Sequence, residues 1–92
     1  MSIGHQEEER QGTFYTEPRS QSSAVMTYLK HENTLYVNST YVPEAFRGQG
    51  IALLLMQAMV DYAQANEFKV VSQCSYVDVM FKRHPQWQHL LA

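Results

Sequence analysis

At 92 residues the chain has room for one small domain with a single core, and 45% hydrophobic against 17% charged residues predict an ordered globule. A formal net charge of −2, with the seven Lys and Arg residues scattered along the chain, excludes the basic surface that nucleic acids and anionic membranes require. The single cysteine, Cys74, excludes an internal disulfide, and because no Cys and His residues have zinc-finger spacing we expect no metal site.

The N-terminal segment, residues 1–9, is polar and acidic, and we expect it to stay loose. It lacks the basic and apolar regions of a signal peptide, and the longest apolar run, Ile51 to Met56, is too short to span a bilayer. We therefore expect a cytoplasmic protein with no membrane partner, or a nuclear one if the source is a eukaryote.

Three antiparallel strands are predicted to follow this segment. Aromatic and β-branched residues alternate with other residues in segments 12–17, 23–31 and 34–42, and turn-forming residues separate the segments. Pro43 ends the third strand, because proline has no N–H group to donate.

A long helix and a fourth strand come next. Apolar residues recur at helical spacing from residue 50 to residue 66, and we expect this helix to be mostly buried. Residues 69–73 are predicted to form a short strand parallel to the third, since a helix connects the two. A second helix, residues 76–84, is predicted to carry Asp78 and Lys82 as an i,i+4 pair and to stop at Pro85. The predicted fold is one α/β (α+β) domain, residues 1–92, with a mixed, mostly antiparallel sheet of about four strands and two helices.

The glycine turn before the long helix is the strongest functional signal. A strand, a glycine-rich turn and a helix bring unpaired N–H groups and the positive end of the helix dipole together, which favours a bound anion. A P-loop is excluded, because Ile51 and Ala52 follow Gly50 where a Lys and a hydroxyl residue are needed. A dinucleotide fingerprint is excluded too, because Leu53 occupies the position of its third glycine.

Residues 47–52, RGQGIA, resemble the acetyl-coenzyme A signature of the GNAT N-acetyltransferase superfamily, which reads Arg or Gln, two variable residues, Gly, one variable residue, then Gly or Ala. The segments VPEAFRGQGIA, DYAQANEFKVV, QCSYV and RHP follow in the order and spacing of the small single-domain N-acetyltransferase family within that superfamily. This resemblance extends from Tyr28 to Leu91. A glycine turn with only a structural role is the alternative interpretation.

The resemblance implies acetyl-coenzyme A as cosubstrate. Successive N–H groups from Gly48 to Ala52 are expected to wrap the diphosphate, and small side chains at these positions let it approach. Arg47 adds charge near a phosphate, and the strand edge near Val42 pairs with the pantetheine amides and polarises the thioester carbonyl. The predicted cofactor-binding residues are Val42, Arg47, Gly48, Gln49, Gly50, Ile51 and Ala52.

The catalytic candidates are Cys74 and Tyr76. Tyr76 has the position at which related acetyltransferases carry a tyrosine that protonates the departing sulfur, although a packing role is an equal alternative. Cys74 is a buried small side chain, a pocket-lining residue or a transient acyl carrier, and direct transfer is the default. His84 is interpreted as a helix-end residue, with a cofactor contact or proton relay as the alternative, and His5, His31 and His89 as surface residues.

The acceptor is expected to be a protein or peptide amine. Larger members of the superfamily insert helices between their first two strands, whereas this chain has only residues 18–22 there, which leaves the acceptor side open. The alternative function is a non-catalytic acyl-coenzyme A sensor or a protein-interaction module with the same fold. The sequence does not indicate an oligomeric state.

Overall fold

A computed structural model describes residues 2–92 and contains one five-stranded sheet with two α-helices. The strands are β1 (Ile3–Glu7), β2 (Gln11–Thr16), β3 (Val25–His31), β4 (Thr34–Tyr41) and β5 (Lys69–Ser72), and the helices are α1 (Ile51–Ala65) and α2 (Ser75–Arg83). Short 3₁₀ helices span Glu44–Phe46 and Pro85–Leu90. The strands lie in the order in which they occur in the chain, with antiparallel neighbours from β1 to β4 and a parallel β4–β5 pair. The mixed, mostly antiparallel sheet and the parallel crossover are as predicted.

Helix α1 packs on the sheet through an apolar face. Its buried residues recur at intervals of three and four, which places them on one side of a helix: Ile51, Leu55, Met56, Met59, Val60 and Ala63. They meet the inward-facing residues of the strands, among them Phe14, Met26, Leu35 and Val70, in a single core. Within residues 2–92, neither helix is long and apolar enough to cross a membrane.

The first strand is the main departure from the prediction of about four strands and a loose N-terminal segment. Residues 3–7 of that segment form β1 and pair with β2 from Ile3 opposite Thr16 to Glu7 opposite Gly12. Met1, which belonged to the same prediction, lies outside the described residues. The polar composition of this segment predicted a loose chain. The segment is ordered because it pairs with β2 and contacts side chains far along the chain.

Glu7 is the centre of a polar cluster that attaches β1 to the rest of the domain. Its Oε2 accepts hydrogen bonds from the hydroxyls of Tyr28 and Tyr62, each at 2.6 Å, and its Oε1 accepts one from Lys30 at 2.9 Å. His5 stacks on the ring of Phe14 and lies 2.6 Å from the Tyr28 hydroxyl through Nε2. His5 is exposed, as predicted, and its ring also contributes to the attachment of β1 through contacts with Phe14, Tyr28 and Tyr62.

Gly12 makes the bond between Tyr28 and Glu7 possible. The two residues face each other from β3 and β1, with Gly12 of β2 between them in register. A Cβ atom at Gly12 would overlap the Tyr28 phenol ring, so the phenol passes over β2 only because this position has no side chain.

Ionised Glu7 is expected to stabilise the fold in a pH-dependent way. Burial raises the pKa of this carboxyl, but the hydrogen bonds from Tyr28, Tyr62 and Lys30 outweigh it and lower the pKa from 4.5 to about 2. The stabilisation is complete above about pH 4.5 and is lost as the pH falls toward about 2. We expect Glu7→Gln to lower the free energy of unfolding by about 1–2 kcal/mol at pH 7, a value reduced for partial solvent exposure.

Urea unfolding of wild type and Glu7→Gln between pH 7 and pH 3 measures this effect. The difference in unfolding free energy between the two proteins should shrink as the pH falls. Glu8→Gln is the matched control, because Glu8 is exposed and its neighbour contact is a 3.4 Å bond from Gln11. A wild-type-to-Glu7→Gln difference that is constant over this range would contradict the pKa of Glu7.

Strand β4 has a bulge at the level where its pairing with β5 ends. Thr27 pairs with Ser39 and Tyr28 pairs with Val37, so Asn38 is an extra residue in β4. The parallel pairing with β5 ends at the same level, where Val37 faces Ser72 and accepts a hydrogen bond from the Gln73 amide at 2.9 Å. Beyond this point residues 38–41 of β4 have no partner in β5, so one backbone edge of β4 is unpaired there.

Candidate active site

The glycine turn ends in an open cradle of backbone amides at the start of α1. Gly48 and Gly50 have φ angles of +80° and +74°, which favour glycine. The first hydrogen bond of the helix runs from Leu54 N–H to the Gly50 carbonyl at 3.2 Å. The amides of Ile51, Ala52 and Leu53 precede that bond, and such N–H groups are free to bind a ligand. An anion would be stabilised here by these donors and by the helix dipole.

The space beside the cradle fits a diphosphate. A Cβ atom added at Gly48 or Gly50 would meet no atom within 4 Å, so the room above both residues is open. A pocket of about 240 Å³ covers this position. Its lining contains six of the seven residues predicted to bind the cofactor, together with Phe46, Leu53 and Tyr76; the six are Val42, Arg47, Gly48, Gly50, Ile51 and Ala52. The residues present therefore fit the diphosphate of coenzyme A.

Two polar side chains brace the turn. Arg47 donates from Nε to the Val42 carbonyl at 3.2 Å, and Gln49 donates from Nε2 to the Ala45 carbonyl at 3.2 Å. The Arg47 contact uses one of the five N–H donors of the guanidinium, which leaves others for a phosphate. Gln49, the seventh predicted cofactor-binding residue, lies outside the pocket lining and holds the turn to the preceding 3₁₀ helix.

Tyr76 joins the pocket from the first turn of α2. Burial raises the pKa of its phenol, the positive charge of Arg83 lowers it, and the Cys74 thiol raises it, with a net increase above the ordinary value of 10.0. The phenol is therefore protonated at neutral pH and can donate a proton to a group in the pocket.

Cys74 lies beside the pocket lining, at the position just before α2. Its thiol is 3.6 Å from the Thr40 hydroxyl, in the part of β4 that has no partner in β5. Burial raises the thiol pKa, but interactions of the sulfur with the Val77 amide, with Thr40 and with the Tyr76 amide outweigh burial and lower the pKa. The thiol is half-buried and more easily ionised than an ordinary cysteine, as expected at a helix N-terminus.

His84 has the contacts of a helix-end residue. Its Nδ1 donates to the Met80 carbonyl at 2.9 Å, and its ring stacks on Trp87 with centroids 4.1 Å apart. These contacts connect the end of α2 to the Pro85–Leu90 helix. They agree with the interpretation of His84 as a helix-end residue.

Sequence reasoning did not identify Phe46 and Leu53 as lining residues, or Thr40 as the partner of Cys74. The position of Phe46 beside the glycine turn was a usable signal. No local sequence signal indicated the contact between Thr40 and Cys74, because these residues are far apart in the chain.

Comparison with known proteins gives a consistent family assignment. The family model described as GCN5-related N-acetyl-transferase matches residues 13–90. Protein NATD1 of Xenopus tropicalis is 36% identical over 59 residues, which cover 64% of this chain and 54% of that protein. Protein NATD1 of Danio rerio is 26% identical over 90 residues, which cover 98% of this chain and 82% of that protein. The matched segment thus spans about half of the first relative and most of the second.

A solved structure shares the fold. The solution structure of a GCN5-like protein from Staphylococcus aureus superposes with a TM-score of 0.72, covering 99% of this chain and 87% of that chain. The two sequences are 23% identical, so the likeness establishes the arrangement of strands and helices.

Proposed function

The chain belongs to the GCN5-related N-acetyltransferase family, and from this premise we propose that it transfers the acetyl group of acetyl-coenzyme A directly to an amine of a protein or peptide. The observation that carries the proposal is the open amide cradle at the start of α1, which is continuous with a pocket that reaches Tyr76. The family match over residues 13–90 includes the glycine turn, and the structure shows the space above that turn to be open.

The residues of the chain divide the work of binding and proton transfer. When bound, acetyl-coenzyme A supplies an activated acyl thioester. The amides from Gly48 to Leu53 would hold the diphosphate, and the Val42 backbone N–H would polarise the thioester carbonyl. The unpaired edge of β4 beyond its bulge would hydrogen-bond the pantetheine amides as an added strand does. Tyr76, protonated at neutral pH, would give its proton to the departing sulfur.

The open face of the sheet supports a macromolecular acceptor. Thr27 and Leu29 alternate with the buried Met26 and Tyr28, so they face away from the core. A groove of about 380 Å³ on this face extends from Gln6 and Glu8 of the first-strand region to Asn38 at the bulge. An open groove that reaches the β4 bulge suits an exposed lysine or a chain end better than an enclosed metabolite.

The test is an acetylation assay with purified protein, acetyl-coenzyme A and a library of lysine peptides, read by mass spectrometry. We expect acetylated peptide as product. Turnover of free polyamines or amino sugars alone would reject the acceptor class. If calorimetry shows tight binding of acetyl-coenzyme A but no product forms, the protein is an acyl-coenzyme A sensor. If it does not bind acetyl-coenzyme A, it is a protein-interaction module.

Direct transfer makes a specific prediction for Cys74. Cys74→Ala is expected to retain most of the transfer rate, because the thiol lies outside the pocket lining and the amine itself is the nucleophile. The measurement is kcat with the best peptide acceptor, with coenzyme A affinity measured in parallel. A rate loss beyond about a thousandfold with unchanged coenzyme A affinity would replace direct attack by an acyl-cysteine route.

A further inference from the structure

The pocket beside the glycine turn has two walls that lead to one side-chain contact. Val42 of the segment after β4 and Tyr76 of α2 both line the pocket. The residue two positions before each of them takes part in the contact: the Cys74 thiol donates a hydrogen bond to the Thr40 hydroxyl at 3.6 Å. Two residues of extended strand span about 7 Å, so β4 is joined to the start of α2 within this distance of the pocket wall.

Behind this contact β4 and β5 are paired. The pairing extends along β4 as far as Val37, whose carbonyl accepts a hydrogen bond from the Gln73 amide at 2.9 Å. Residues 38–41, between that point and the pocket, have no partner in β5. Thr40 lies in this stretch opposite the fully buried Met26 of β3, so its side chain is on the helix-covered face of the sheet. The unpaired edge of β4 is therefore short and ends at a paired segment.

A separation of 3.6 Å leaves no room for a hydrocarbon chain between the two side chains. A carbon atom packs at about 3.5–4.0 Å from each of its neighbours, so a methylene group cannot pass between the sulfur and the oxygen. If the diphosphate lies in the amide cradle, the pantetheine arm enters along β4 at Val42 and directs the acyl group toward Thr40. An acetyl group has one methyl beyond its carbonyl, whereas a longer acyl group must extend into the contact.

We propose that the contact between Thr40 and Cys74 limits the size of the acyl group, so that the protein binds acetyl-coenzyme A and rejects longer acyl-coenzyme A esters. The inference rests on the proposed function, because it takes the diphosphate to lie in the cradle and the pantetheine to lie along β4. It gives the two side chains a steric role, in which neither of them forms or breaks a bond.

Calorimetric titration with acetyl-coenzyme A and with butyryl-coenzyme A, in the absence of an acceptor amine, tests the proposal without catalysis. The butyryl group has two more methylene groups, and wild type should bind its ester at least about tenfold more weakly, because extra methylenes in a closed site are costly. Thr40→Ala and Cys74→Ala each remove one side of the contact and should reduce this ratio to about threefold or less. Thr40→Ser keeps the hydroxyl and should keep most of the wild-type ratio. Thr34→Ala makes the same substitution at the beginning of β4 and is the matched control, with the wild-type ratio expected.

The outcomes separate this inference from the proposed function. Equal affinity of wild type for the two esters would overturn the size limit. The wild-type ratio in both Thr40→Ala and Cys74→Ala, with circular dichroism showing folded protein, would overturn the role of the contact. A wild-type protein that binds neither ester would overturn the proposed function itself.

Discussion

Gly50→Glu is expected to bind coenzyme A at least about 100-fold more weakly than wild type. The substitution adds a side chain to a position where φ is +74°, a conformation that non-glycine residues adopt with strain. It also places a carboxylate in the space where the diphosphate would lie. The amides that bind an anion remain, but an acidic group of the protein would repel the ligand. Calorimetry with coenzyme A measures the loss.

Two further variants show whether the loss of binding in Gly50→Glu comes from the added charge, from backbone strain or from misfolding. Gly50→Asn introduces a side chain that tolerates positive φ without adding charge, so it should weaken binding less than the glutamate does. Gln64→Glu adds the same charge at the other end of α1 and should leave affinity unchanged. Circular dichroism should show folded protein in each case. Wild-type affinity in a folded Gly50→Glu variant would refute the cradle as the diphosphate site.

Tyr76→Phe is expected to lower kcat about 100-fold, with little change in KM for acetyl-coenzyme A. The ring that lines the pocket is kept, so binding should persist, while the proton for the departing sulfur is lost. Because the pKa of Tyr76 is raised above 10.0, the wild-type rate should not decline through ionisation of this phenol below about pH 10.

Tyr15→Phe is the control, since Tyr15 lies on β2, away from α2 and outside the pocket lining. Steady-state kinetics of both variants over a range of pH give the required values. A Tyr76→Phe enzyme with wild-type kcat would give the tyrosine a packing role only.

The elements that local pattern determines were predicted well. Helix α1 has a 3.6-residue apolar period over four turns, and its predicted range of residues 50–66 differs from Ile51–Ala65 by one residue at each end. Strands β2 to β5 were predicted from alternation and turn residues within two residues of their observed ends. The glycine turn indicated the pocket lining because its residues are contiguous in the chain.

The features that depend on distant partners were not predictable in the same way. Strand β1 is polar, and its order comes from pairing with β2 and from the bonds of Glu7 to Tyr28, Tyr62 and Lys30. The bulge at Asn38 is a property of the register between two strands, so no single segment contains its signal. The approach of Cys74 to Thr40 joins residues 34 positions apart in the chain, which local pattern does not contain.

The cradle at the start of α1 consists of main-chain groups and of room left free by two glycines. Truncation of side chains, the usual way to map a binding surface, leaves these main-chain groups in place and so would not reveal the binding site. Mutational scans of this protein should therefore introduce larger or negatively charged side chains at residues 48–52. At these positions an added side chain, and not a removed one, shows whether the ligand binds.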